Sequence, residues 1–326
     1  MSSDKILTLE NEILRLKTEK NAVILGHFYQ DDDIQDVADF IGDSLDLSKK
    51  AAATDADIIV FCGVTFMAEV AKILNPTKKV IVPDINAGCS LEESCRPEAF
   101  SNFKAKNPDH IVVSYINCSA EIKAMSDLIV TSSNAETIIN SIPSNQSIIF
   151  APDKHLGAYI QKKTGREMLL WQGSCIVHEQ FSLKTLVKLK TRYPNALVIA
   201  HPECPERLLN ESDYIGSTSN LINFVKNNKE KDFIVLTEPG IIHQMKKDSP
   251  ESNFIEVPNI SQDGVDCVNC NSCPHMRLNT MEKLYLALKS EEPEIVLDRE
   301  ISLKAKMPLD KMLELSNTIS KLENRC

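Results

Sequence analysis

Three kinds of strand ending recur along the chain in a fixed order, and this repetition constrains the fold more than any single motif. One kind closes on a polar cluster: LGHFYQ, SYINCSAE and AHPEC. A second closes on small hydroxyl residues ahead of a helix: TSSNAETI and GSTSNLI, with FCGVTFMAE as a divergent first copy. A third closes on an acid–proline turn: VPDINAG, APDKHLG and LTEPGII. From the middle copy to the last the landmarks keep a spacing of 86 residues, from Tyr115 to His201 (201 − 115) and from Ser132 to Thr218 (218 − 132), and Asp153 maps onto Glu238 or Pro239 in the same way. Self-similarity at a fixed period is the mark of repeated structural units.

Between these landmarks, short β-branched runs alternate with amphipathic stretches. The strand candidates are 22–25, 57–61, 79–82, 111–115, 128–131, 147–150, 197–200, 214–215 and 233–236. They are continuously apolar, as strands covered on both faces must be, and alternation with helices predicts parallel sheets built from βαβ units. The expected fold class is α/β: three similar α/β/α units arranged with pseudo-threefold symmetry about a central cavity. The expected boundaries are residues 1–90 together with about 280–326 for the first unit, 91–178 for the second, and 179–279 for the third. A length of 326 residues fits this division, because single cores stop growing at roughly 250–300 residues.

Composition narrows the function. The net charge of −10 argues against nucleic acid as a partner, since phosphate neutralisation needs a basic face. No apolar run reaches the ~18 residues of a membrane span. The N-terminal stretch SSDKILTLENEILRLKTEK is amphipathic and charged, with Ser3 or Asp4 as a plausible N-cap, and it lacks the apolar centre of a secretory signal. The expected location is the cytoplasm, where the ten cysteines would be reduced.

Clustered cysteines in that setting point to metal or redox chemistry. One arrives per unit: Cys89 after the third strand of the first, Cys175 closing the second in WQGSC, and Cys273 ending CVNCNSCP in the third. Three thiolates converging without a fourth suit a [4Fe–4S] cluster with one iron free to bind a substrate oxygen. A structural zinc site using CVNCNSC and His275 is the alternative, and would make the chain a zinc-stabilised binding protein. Cys267 and Cys270 read as spare thiols or a redox pair, and Cys62, Cys118, Cys204 and Cys326 as ordinary small residues.

Strand ends rich in hydroxyls occur at Asp43-Ser44, Ser132-Ser133-Asn134 and Ser217-Thr218-Ser219. Free N–H groups at a helix start bind anions and the hydroxyls add donors, although plain N-capping explains any one of these serines equally well. His27, Tyr29, Tyr115, His201 and Glu203 also close strands and are candidates for proton transfer.

The segments GHFYQ, GDSLDLS, CGVTFMAE, YINCSAE, VTSSNA, FAPDKHLG, WQGSCIVHE, HPEC, GSTS and CNSCPHMRLNT run in order from about residue 24 to 281. In these the chain resembles the quinolinate synthases, enzymes of NAD biosynthesis with a [4Fe–4S] cluster. The resemblance implies three α/β/α units about a pseudo-threefold axis, and Cys89, Cys175 and Cys273 as cluster ligands. It implies condensation of iminoaspartate with dihydroxyacetone phosphate to quinolinate, with loss of phosphate and two waters, and a functional link to an aspartate-oxidising enzyme that supplies iminoaspartate. It places His27, Ser44, Tyr115, Ile116, Asn117, Ser132, His201, Pro202, Glu203 and Thr218 around the iminoaspartate-derived part, and His178 at the phosphate end. Glu203, Tyr29, His201 and Tyr115 become the candidate catalytic residues, and Met67 a possible wall residue. The chain departs from the pattern at Phe28, where a polar residue is usual, and at Cys118, where Thr or Ser is usual; Cys118 is thereby expected near the cavity. Another open-iron hydro-lyase would share the cysteine arrangement but would not need a phosphate pocket.

Overall fold

A computed structural model describes residues 3–260, 266–267 and 271–323. The thiols of Cys267, Cys270 and Cys326 lie outside what is described, and so does the pairing expected for the first two. Three four-stranded parallel sheets carry the architecture. The first holds β1 (Ala22–His27), β2 (Phe40–Gly42), β3 (Ile58–Cys62) and β4 (Lys79–Ile81). The second holds β5 (Ile111–Tyr115), β6 (Leu128–Val130), β7 (Ile148–Ala151) and β8 (Leu169–Leu170). The third holds β9 (Leu197–Ala200), β10 (Tyr214–Ile215), β11 (Asp232–Leu236) and β12 (Asn253–Glu256).

Numbered within its own unit, each sheet has the order 2-1-3-4, and every pairing in the three is parallel. Three copies of one topology confirm the α/β class and the repeat. The first and third strands of each unit form its centre. They are buried almost throughout, as in β3 and β7, and helices cover them. The outer strands are two to four residues long and partly exposed. The strand candidates omit β2, β8 and β12; β2 and β8 are too short to show a period, and the equally short β10 is legible only through the GSTSNLI landmark after it. Cys89 consequently follows the fourth strand of its unit and not the third.

One polar device repeats with the fold. Asp39, Asp127 and Asp213 each stand just before or at the start of the second strand and hold the first strand of their own unit. Their carboxylates accept the backbone N–H of Ile24, Val112 and Val198, each at 2.8 Å. Their own N–H groups donate back to the carbonyls of the same three residues at 2.8–2.9 Å. Each pair fixes both orphan groups of a strand position at once, which sets the spacing of the loop between the two strands.

The largest core joins the first two units, and contains Phe61, Phe66, Tyr115, Phe150 and, from the C-terminal segment, Leu309 and Met312. The C-terminal segment, expected wholly with the first unit, divides. The helix Met281–Ser290 packs on the N-terminal helix and β3, whereas the helix Arg299–Glu323 packs chiefly on the helix Ala120–Ala124 and β6. Its apolar residues Ala305, Leu309 and Met312 are fully buried there. Among the described residues no helix is long and apolar enough to cross a membrane.

Asp213→Ala should lower stability by about 1 kcal/mol, the net worth of a lost hydrogen bond, while Asp213→Asn, which keeps an acceptor, should cost less. Urea midpoints of the two variants check this; equal losses would mean that the carboxamide cannot replace the strand acceptor.

Candidate active site

In an open α/β sheet, ligands bind beyond the carboxyl ends of the strands where the strand order reverses. Here that point lies between the first and third strands of each unit, and three such points face one cavity of about 740 Å³, its opening included. His27 ends β1, Tyr115 ends β5, and His201 follows β9. Two residues further on are Tyr29, Asn117 and Glu203. Beyond the second strands lie Ser44, Ser132 and Thr218. All nine line the cavity, as three threefold-related sets.

Capping at the second-strand ends falls to the residues just before these hydroxyls in two of the units. Asp43 accepts the N–H groups of Leu45 and Asp46, each at 3.0 Å, and Ser217 accepts that of Asn220 at 3.3 Å. In the second unit the Thr131 N–H donates to Asn134 Oδ1 at 2.6 Å. The first and third helix starts are thus capped without Ser44 or Thr218, and the second has no side-chain cap, so none of the three hydroxyls is used as an N-cap.

The centre of the wall is a chain of polar contacts drawn from all three units. Tyr115 Oη donates to Glu203 Oε1 at 2.6 Å. The other oxygen of Glu203 lies 2.9 Å from His178 Nδ1, although that ring N–H is not aimed at it. His178 Nε2 meets Thr237 Oγ1 at 3.0 Å, and Thr237 Oγ1 meets Tyr29 Oη at 2.6 Å. His201 stacks on His178 with ring centres 5.0 Å apart. Thr237 links two of these groups and had no sequence signal beyond its place in LTEPG. In His27 and His201, Nδ1 accepts the backbone N–H of Tyr29 (3.1 Å) and of Glu203 (3.4 Å). A neutral ring that accepts at Nδ1 carries its proton on Nε2.

Burial shapes the titration of this wall. It lowers His27 and His201 to about 4, against the pull of Glu203, so both rings are neutral at pH 7. It lifts Tyr29 and Tyr115 well above their ordinary range, with the charge of Glu203 adding to the effect. Burial alone would raise Glu203 as well. The Tyr115 hydrogen bond acts the other way, as would a proton shared with the His178–His201 pair. Burial and the Glu203 charge raise Asp153 well above the carboxylate range, and its Oδ2 has no partner.

Cys89, Cys175 and Cys273 line the same cavity, one from each unit, and none is in a disulfide. Burial raises all three thiols, Cys273 to about 11, and each of Cys89 and Cys175 is raised further by the charge of its sulfur neighbours. Thiols in such a pocket are donors suited to a soft metal ion, which removes their protons on binding. The approach to Cys175 leaves no room for a side chain at Gly173, where a Cβ would sit 2.5 Å from the Pro152 carbonyl and 2.3 Å from Ser94 Oγ. One atom each of Cys175, His178 and Glu203 also lies within 4.8 Å of the others. His178 Nδ1 and Glu203 Oε2 are not taken up by Thr237 or Tyr115, so this mixed set is a second possible donor group for a metal ion.

Among the described residues the wall contains no lysine or arginine but includes Asp43, Glu203 and Glu238. Ile116 and Pro202 are not part of it; Ile116 is 1% exposed and belongs to the core. Met67 lines the cavity and also packs in the core. Cys118, expected near the cavity, does not line it, although its neighbour Asn117 does. It is fully buried behind it in a cluster with Cys95, Phe100 and Val112, where a small thiol substitutes for a hydroxyl without a polar partner.

Three repeated α/β units that turn thiols, imidazoles and hydroxyls into one buried pocket define an α/β enzyme that works with a metal cofactor. Residues 11–314 match the family model for the quinolinate synthetase A protein, and the chain belongs to that family. It is 60% identical to the quinolinate synthase of Cyanophora paradoxa over 309 residues, covering 95% of this chain and 92% of the relative. It is 59% identical to that of Microcystis aeruginosa (93% and 94% covered) and 58% identical to that of Ehrlichia chaffeensis (95% and 98%). Such relatives are enzymes of NAD biosynthesis that act on small molecules.

The two neutral histidines give a pH test. Unfolded histidine takes up its proton near pH 6.5 and the folded residues only near 4, so the unfolded chain binds more protons between these values and stability falls on acidification through that window. Each ring contributes about 2 kcal/mol of loss between pH 7 and 5. His201→Gln should lose correspondingly less stability than the parent in urea titrations at the two pH values; parallel losses would contradict a buried neutral ring.

Proposed function

We propose that the chain condenses iminoaspartate with dihydroxyacetone phosphate to quinolinate, releasing phosphate and two waters, with a [4Fe–4S] cluster held by Cys89, Cys175 and Cys273. The observation that carries this reading is a single cavity walled by one thiol from each unit and by three threefold-related hydroxyls. With three protein thiolates the cluster supplies one iron open to a substrate oxygen, a Lewis acid for loss of hydroxyl.

The protein residues divide the remaining work. Ser44, Ser132 and Thr218, with Asn117, receive the carboxylates, and His178 faces the phosphate end. His27 and His201 present Nε2–H donors that do not change charge near neutral pH. Ionised Glu203 takes the proton from carbon during triose isomerisation and ring closure, and Tyr115, 2.6 Å away, returns one. Tyr29, Thr237 and His178 form a continuous path for moving that proton across the cavity. The iminoaspartate comes from an aspartate-oxidising enzyme, and the setting is the cytoplasm.

Anaerobically purified protein given freshly generated iminoaspartate and dihydroxyacetone phosphate should form quinolinate, measured by chromatography. Turnover of a hydroxy-acid without any need for the phosphate ester would instead favour an open-iron hydro-lyase. Glu203→Gln should lower turnover by about 100-fold or more while iron content stays at the parental level. Near-parental turnover in this variant would remove Glu203 from the assigned role.

A further inference from the structure

The segment Cys273–Asn279 is bound on both sides, and one residue in it does more than the rest. Arg277 Nη2 donates to Glu238 Oε1 at 2.5 Å, and its Nη1 donates to Asp31. Glu238 comes from the turn after β11 of the third unit and is 1% exposed. Asp31 comes from the turn after β1 of the first unit, four residues beyond His27 and two beyond Tyr29. The same Glu238 oxygen accepts the backbone N–H of Cys273 at 3.3 Å, and its other oxygen accepts that of Gly240 at 2.7 Å. Arg277 N–H closes the turn by donating to the Cys273 carbonyl at 3.2 Å.

We propose that Arg277 and Glu238 form a clamp that sets the position of Cys273, and that Asp31 ties the clamp to the turn bearing His27 and Tyr29. The inference rests on the reading of Cys273 as a metal ligand. Arg277 is a positioning residue: it is absent from the cavity wall and acts through Glu238. A guanidinium is suited to this because its planar fork can serve two carboxylates at once, which an ammonium cannot match in geometry. A buried Glu238 needs that partner, since an uncompensated buried carboxylate is strongly unfavourable. Other contacts give the clamp a fixed seat. A Cβ at Gly240 would meet Glu238 Oε2 at 2.8 Å and the Tyr29 backbone at 2.9 Å, so the two turns are in direct contact. Gln35 Nε2 bridges the carbonyls of Gly240 and Gln30, each at 2.9 Å. Gln30 in turn donates to Met276 Sδ at 3.0 Å, and Asn279 donates to the Gly63 carbonyl at 2.8 Å. The metal-binding thiol of the third unit and the substrate-facing turn of the first are thereby held in one frame.

The test uses iron loss and not activity. Anaerobically prepared holoprotein of the parent, Arg277→Met, Arg277→Lys and Asp31→Asn is mixed with a ferrous chelator well below its thermal midpoint, and iron release is followed by absorbance. Arg277→Met should release iron about 10- to 100-fold faster than the parent, the usual effect of removing a residue that orients a metal ligand. Arg277→Lys should fall between the two. Asp31→Asn should stay within about threefold of the parent, because that arm of the clamp is half exposed and worth less. A release rate for Arg277→Met within twofold of the parent, with full iron content, would overturn the proposal even if its thermal midpoint fell. If Arg277→Met does not load, Arg277→Lys decides: release at the parental rate overturns the clamp. A parent without thiolate-bound iron would remove the metal reading itself, which separates that failure from a failure of the clamp alone.

Discussion

A parallel sheet puts the carboxyl ends of all its strands, and the loops that leave them, on one side, and three sheets with one strand order put equivalent loops in equivalent places. The cavity exists because these three sets of strand ends are turned toward each other. His27, Tyr115 and His201 differ in chemistry yet occupy the same position in the three units, and Ser44, Ser132 and Thr218 are related in the same way. The recurrent aspartates Asp39, Asp127 and Asp213 serve this end, because they fix the first two strands of each unit relative to one another. A repeat thus supplies a frame in which a few side chains can diverge without the frame moving.

Electrostatics then decide what the frame can hold. A pocket with three carboxylates in its wall, no lysine or arginine among the described residues, and three thiols raised by burial is poorly suited to an anion on its own. Helix N-termini and Nε2–H donors offset only part of that, and their effect fades within a turn. In the proposed function the open iron would offer a local Lewis-acid site for a substrate oxygen, while the cluster with its three thiolates adds no net positive charge. Glu203 fits the same logic: in a dry site its carboxylate is held by the Tyr115 hydroxyl at 2.6 Å.

Legibility followed burial and chain locality. The central strands could be read from continuous apolar runs such as Ile58–Cys62 and Ile148–Ala151, because burial on both faces writes that pattern. The edge strands Phe40–Gly42 and Leu169–Leu170 could not, since two or three half-exposed residues carry no period. The repeat brought Cys89, Cys175 and Cys273 to attention together, as spacing alone would not. Thr237 escaped because its role depends on Tyr29 and His178, each contributed by a distant segment. Cys118 misled for a related reason: its neighbours in YINCSAE face the cavity, while its own side chain turns back into the core. The last helix was assigned to the first unit, but its buried face was made for the second, and an amphipathic pattern does not name its partner.

The central claim is that the sulfur atoms of residues 89, 175 and 273 hold a single metal centre. Iron and sulfide analysis after anaerobic purification tests it most directly, applied to the parent and to Cys89→Ser, Cys175→Ser, Cys273→Ser and Cys118→Ser. The account predicts a brown parent with a full iron–sulfur cluster per chain, loss of iron in each of the first three variants, and parental iron in Cys118→Ser. A colourless parent with stoichiometric zinc, or iron that survives replacement of Cys89 or Cys175, would contradict it.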